Sequence, residues 1–195
     1  VLPAGQLQPP FFDHAFYPPV NIGDIGANTI GHEITHGFDD EGSQFDGAGN
    51  LKDWWTPTCK ENFEKATTCV VDQFSRYEPL PGVHLNGALG AGENIADIGG
   101  VKLGLQALRR WQKEHADAER TVPGFTDEKL YFLGYAQGWC SKDRPELAAT
   151  RARVDPHSPP KFRVFGAMRN LPEFASAFSC PAGTPMHPTK SCQVW

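Results

Sequence analysis

The chain has 195 residues, enough for one domain with a real core or for a large piece of a bigger one. Hydrophobic residues make up 39% and charged residues 21%, a globular rather than disordered balance. The net charge of −5, with no Lys/Arg run, argues against nucleic acid as a main partner, and no apolar run approaches bilayer length.

The five cysteines (Cys59, Cys69, Cys140, Cys180, Cys192) suit an oxidising compartment. None forms a C-x-x-C pair, so a cysteine zinc knuckle is not expected, and the odd number leaves at least one thiol free or paired elsewhere. The opening, Val1-Leu2-Pro3-Ala4-Gly5, is not a signal peptide; if the protein is exported, its signal is expected upstream. No N-x-S/T sequon supports a glycosylated surface.

Residues 1–20 are rich in Pro and aromatics and predict extended chain laid against something else, as though the sequence began inside a fold. A first helix is predicted over Ile22 to Asp40, weakened by Gly23, Gly26 and Gly31, which let another backbone come close. Residues 42–53 are turn chemistry. Residues 57–77 predict a helix, with Phe63, Ala66, Val70 and Phe74 at helical spacing, and residues 78–90 a Pro/Gly loop. Glu93 to His115 predicts another helix with the stripe Ile95, Ile98, Val101, Leu105, Leu108 and Trp111. Thr126 is the expected N-cap of a helix reaching Trp139. Shorter helices are expected from Pro145 and over Pro172–Phe178, with residues 155–165 irregular between them. The fold class expected is mainly α, with a few short strands.

Gly31-His32-Glu33-Ile34-Thr35-His36-Gly37 contains H-E-x-x-H. Residues four apart on a helix share a face, so both imidazoles can reach one tetrahedral ion at about 2.0–2.1 Å. Glu33 can then serve a metal-bound water without being a ligand. A catalytic zinc needs a third protein ligand and an open position. Gly92-Glu93-Asn94-Ile95-Ala96-Asp97 offers Glu93 as that ligand, with Asp97 one turn on to accept the far N–H of a ligand histidine. Asp39, three residues past His36, can serve the other imidazole. An acidic first turn complementing the helix dipole explains acids there in general, but not this spacing. The three-histidine pattern H-E-x-x-H-x-x-G-x-x-H is excluded, because Gly42 stands where its last histidine belongs. Gly99 and Gly100 would let the two helices pack closely.

Pro3-Ala4-Gly5, Leu7-Gln8-Pro9-Pro10-Phe11-Phe12, the stretch from Ile30 to Trp55, GENIAD at 92–97, HSPPKFR at 157–163 and the terminal Cys192-Gln193-Val194-Trp195 together resemble the neprilysin and endothelin-converting-enzyme family. The resemblance implies a thermolysin-like zincin catalytic domain that cleaves oligopeptides, with one Zn2+ per chain. It implies His32, His36 and Glu93 as zinc ligands, Glu33 as the catalytic glutamate, and Asp39 and Asp97 as the carboxylates behind the histidines. His157 matches the histidine that stabilises the tetrahedral intermediate, and Arg163 an arginine that binds a substrate backbone carbonyl. Phe12, Gly138 and Trp139 fall where the family builds the apolar pocket for the residue after the scissile bond. The family is apolar just before H-E-x-x-H, where this chain has Asn28 and Thr29. The same match implies a Cys69–Cys192 disulfide and, for Cys140 and Cys180, partners in an N-terminal part; Cys59 lies outside the pattern.

Family members are several times longer. The resemblance therefore implies that residues 1–195 are the C-terminal portion of a catalytic domain. Its partners would be oligopeptide substrates and the rest of the parent peptidase, including a helical domain that roofs the site. The location implied is secreted, periplasmic or extracellular, free or as the ectodomain of a membrane-anchored parent. Two other readings stand beside this one: a different glutamate-ligand zinc peptidase of thermolysin or aminopeptidase type, and a zinc-binding fragment that does not catalyse.

Overall fold

A computed structural model describes residues 2–116 and 122–195. Among them the regular structure is helical, and extended pairing is limited to four isolated bridges: Phe45 with Leu51, Leu80 with Val83, Val122 with Phe125 and Thr184 with His187. The few strands expected therefore shrink to single bridges. No helix among the described residues is long and apolar enough to cross a membrane.

Helix α1 is continuous over residues 18–36: an α-helical turn (Pro18–Asn21), a π-helical stretch (Ile22–Gly31) and a closing α-helical segment (His32–His36). Then come α2 (Pro57–Phe74), α3 (Ala91–Glu114), α4 (Asp127–Gly138), α5 (Pro145–Val154), α6 (Pro160–Met168) and α7 (Pro172–Ala177). Thr126 caps α4 as its sequence predicts, accepting the Lys129 N–H at 3.3 Å. The His115 end expected for the preceding helix is met within a residue, at Glu114.

Two expectations from proline are overturned. Of the expected extended segment, the described residues 2–20 are not extended throughout: a 3-10 turn (Ala4–Gln6) and hydrogen-bonded turns lead into α1, which begins on Pro18-Pro19. Residues 155–165 are not irregular throughout, since α6 begins at Pro160. The physical reason is the same in both. Proline has no N–H, but the N–H groups of a helix's first turn have no partner within the helix, so a proline there loses no helical hydrogen bond and can start the helix. The first helix also ends at His36, and Asp39 sits in the turn beyond it.

The core gathers Val70 and Phe74 of α2, Ile95, Ile98, Val101, Leu105 and Leu108 of α3, Tyr131, Phe132 and Tyr135 of α4, and Phe162 and Met168 of α6. Helix α3 is the central element. It crosses α1 backbone to backbone: a Cβ on Gly31 would lie 2.8 Å from the Gly100 carbonyl oxygen, and one on Gly100 would lie 2.8 Å from the His32 nitrogen. Only glycines permit that approach, and it brings the start of α3 beside the closing segment of α1. The Cys69–Cys192 disulfide joins α2 to the C-terminal tail, while Cys59, Cys140 and Cys180 are free thiols.

Candidate metal centre

His32 and His36 leave the last turn of α1, and Glu93 leaves the first turn of α3. The two Nε2 atoms lie 2.9 Å apart, and the Glu93 carboxylate oxygens lie 3.3 Å from His32 Nε2 and 3.6 Å from His36 Nε2. Two donors each about 2.05 Å from a tetrahedral ion sit about 3.3 Å apart, so the three donors fit a common zinc. Among the described residues this is the group of His, Cys, Asp and Glu side chains that can close on one ion.

The far side of each ring is tied down. His32 Nδ1 is 2.9 Å from Asp97 Oδ1, and His36 Nδ1 is 2.6 Å from Asp39 Oδ2. A carboxylate accepts the Nδ1 proton, which fixes the tautomer and turns the Nε2 lone pair towards the cluster. Asp39 is held in turn by the backbone N–H groups of Glu41 and Gly42, at 2.9 and 2.7 Å. Asp97 is fully buried. Burial opposes its charge, but Arg163, forked onto both of its oxygens at 2.7 Å, and His32 hold its carboxyl below the usual range. Glu93 is lowered too, by His32 and Arg163 against a burial cost. Three carboxylates (Glu93, Asp39, Asp97) against one guanidinium leave two negative charges around the two imidazoles, which suits a divalent cation. The pull on positive charge is visible in His32: burial pushes its imidazolium down, yet hydrogen bonds to Asp97 and Glu93 raise its pKa to about 9.

Glu33 is exposed beside His32, and its carboxylate makes no hydrogen bond or ion pair among the described residues. His157 sits on the loop before α6 with Nε2 3.2 Å from Glu93 Oε1 and Nδ1 3.0 Å from Asp155 Oδ1. Its neighbour Ser158 anchors that loop by donating to Asn94 Oδ1 at 2.8 Å. Arg163 lies face-on to Trp139, with Cζ 4.0 Å from the ring centroid. Gly138 is crowded: a Cβ there would meet Asp24 Oδ1 at 2.7 Å and Asn28 Nδ2 at 2.8 Å. The structure thus brings Arg163 onto Trp139, while the neighbouring Gly138 faces Asp24 and Asn28. Phe12 is half-buried in a turn closed by its N–H onto the Gln8 carbonyl, and no hydrogen bond, ion pair or ring contact among the described residues joins it to the cluster. Asp24, Asn28, Asn94, Asp155 and Ser158 were not singled out as site residues from the sequence. Asp155 carries a signal, two residues before His157; the others depend on which helices meet. Neither of two surface hollows is lined by His32, His36 or Glu93. One is about 590 Å³, beside Trp55 and Phe63; the other is about 490 Å³, beside Trp139 and Phe162.

The model of the family described as Peptidase family M13 matches residues 1–194. Neprilysin-1 of Caenorhabditis elegans is 50% identical over 99% of this chain, and endothelin-converting enzyme 1 of Homo sapiens 45% identical over all of it. The chain spans about a quarter of those relatives, 26% and 25% of their lengths. Among solved structures, the inhibitor complex of Mycobacterium tuberculosis zinc metalloprotease Zmp1 is 40% identical with a TM-score of 0.92, over 99% of this chain and 30% of that one. The likeness runs almost from the first residue to the last and includes the helix crossing that joins both halves of the donor set, so the chain belongs to peptidase family M13.

Proposed function

We propose that this chain carries the metal centre of a zinc-dependent metalloendopeptidase that hydrolyses peptide bonds of oligopeptides. The observation that carries this is the convergence of His32 Nε2, His36 Nε2 and the Glu93 carboxylate, with both Nδ1 atoms already committed to Asp97 and Asp39. Those three residues would hold one zinc. When bound, the ion supplies Lewis-acid chemistry, acidifying water and polarising a scissile carbonyl.

Glu33 takes the proton of the attacking water and passes it to the leaving amine, a task that suits an unpaired carboxylate next to a ligand. His157 donates a hydrogen bond to the carbonyl oxygen as charge develops there, moving its Nε2 off Glu93; Asp155 steadies the other nitrogen. Arg163 has a second task. Its Nε and Nη2 brace Asp97, while Nη1 makes no hydrogen bond among the described residues and is free for a substrate backbone carbonyl. Trp139 lies against it, and the resemblance assigns Trp139, Gly138 and Phe12 to the apolar pocket for the residue after the scissile bond.

The span of about a quarter of each relative supports reading residues 1–195 as a portion of a longer peptidase; the resemblance makes it the C-terminal portion of the catalytic domain, with the remaining portion and the oligopeptide as its partners. The disulfide supports a location outside the cytoplasm, secreted or as a membrane-anchored ectodomain. The test is metal analysis of the purified full-length protein alongside a fluorogenic peptide assay. One zinc and chelator-sensitive cleavage are expected. Zinc without cleavage would leave only a metal-binding role, and no zinc would sink the proposal.

A further inference from the structure

Asn28 stands one turn before His32, on the π-helical stretch of α1, and its carboxamide is used at both ends. Nδ2 donates to the Tyr135 carbonyl at 3.0 Å and to Asp24 Oδ1 at 3.1 Å. Oδ1 accepts the Trp139 indole N–H at 2.6 Å. An indole nitrogen only donates and a carboxylate only accepts, so the amide has one orientation that satisfies both neighbours. Asp24 behind it is 2% exposed and also packs against Gly138, leaving the amide little room to turn. The indole so fixed presents its face to Arg163, whose other edge forks onto Asp97, which holds His32. The contacts therefore run without a break from Asp24 through Asn28, Trp139, Arg163 and Asp97 to a metal ligand. A leucine at position 28 would match the asparagine in size and offer nothing to either neighbour.

We propose that Asn28, braced by Asp24, is a positioning residue: it fixes the Trp139 indole and, through that ring, the Arg163 guanidinium that takes a substrate carbonyl. This rests on the metallopeptidase reading above. It assigns Asn28 to the binding of peptide, because the contacts that begin at Asn28 reach Arg163, the group assigned to a substrate carbonyl, and no hydrogen bond or ion pair among the described residues joins them to Glu33.

The experiment uses the full-length protein loaded with zinc, comparing wild type, Asn28→Leu, Trp139→Phe and the double variant. NMR follows hydrogen exchange of the indole N–H that disappears in Trp139→Phe, and of the Arg163 Nε–H. Asn28→Leu should speed exchange at both by about tenfold or more. It should raise KM for a peptide substrate about 3–10-fold with kcat within about twofold, and should add nothing further in the Trp139→Phe background. Unchanged exchange overturns the proposal whatever the kinetics. Faster exchange with an unmoved KM also overturns it, since Asn28 would then only trim the fold. A wild type that holds zinc but cleaves no peptide sinks the peptidase reading alone; exchange at the Arg163 Nε–H then decides whether Asn28 fixes the guanidinium.

Discussion

His32 is 6% exposed, and both of its ring nitrogens face carboxylates; Glu33, the next residue, is exposed and its carboxylate is unpaired among the described residues. The same contrast repeats across the site. Asp97 and Arg163 are buried and locked in a fork, while the His157 side chain is 52% exposed on a loop. The residues that would hold an ion in this reading are immobilised by neighbours that fix a proton or a charge. In the proposed reading Glu33, the base, keeps an unpaired carboxylate, while His157, whose ring nitrogens rest on Glu93 and Asp155, stands exposed on a loop where it can exchange partners.

That contrast can be broken experimentally. Glu33→Gln should lower peptide turnover by about 10²–10⁴-fold while zinc content, read by metal analysis, stays at the wild-type value. Loss of zinc would move Glu33 into the group that holds the ion, and undiminished turnover would deny it the role of base. His157→Ala should cost about 10²–10³-fold in kcat with zinc affinity little changed; an effect confined to zinc affinity would mean that the contact with Glu93 is its only role. Asp97→Asn should show the opposite pattern, weakening zinc about 10–100-fold by chelator competition, because the His32 tautomer is no longer enforced. It should also lower folding stability by about 3–5 kcal/mol, since Arg163 is left buried without its carboxylate.

The smallest effect expected is a gain. Burial lifts Asp24 to about 6, only partly offset by the Asn28 hydrogen bond. An acid with a raised folded-state pKa binds its proton more tightly folded than unfolded, so stability falls as pH rises from about 4 to 6 and stays lowered above. The cost of keeping Asp24 ionised is at most about 3 kcal/mol. Asp24→Asn should therefore raise the melting temperature at pH 8 more than at pH 4. An equal shift at both would mean that the Asp24 charge is tolerated without penalty.

Much of the site is legible in local spacing. His32 and His36 share a helix face by periodicity alone, and Glu93 and Asp97 repeat the same arithmetic on α3. Thr126 caps α4 because a side-chain oxygen before a helix has free N–H groups to serve. Where the reading failed, the same residue type had two physical uses: the prolines at 18 and 160 start helices that their neighbours made look like loops. Phe12 shows another limit. An aromatic residue in a Pro-rich segment is sticky in any direction, and its sequence does not say what it covers.

By itself, then, the sequence determined the donor types and their grouping on two helices, because each follows from neighbours within one turn, and it pointed to the family through motifs spread from Pro3 to Trp195. Tertiary structure alone decided that Gly31 meets Gly100, that Arg163 ends on Asp97 and Trp139, and that Asn28 reaches an indole 111 positions away. Those pairings are set by how closely helix backbones can approach and by which buried polar atoms must find partners once they do.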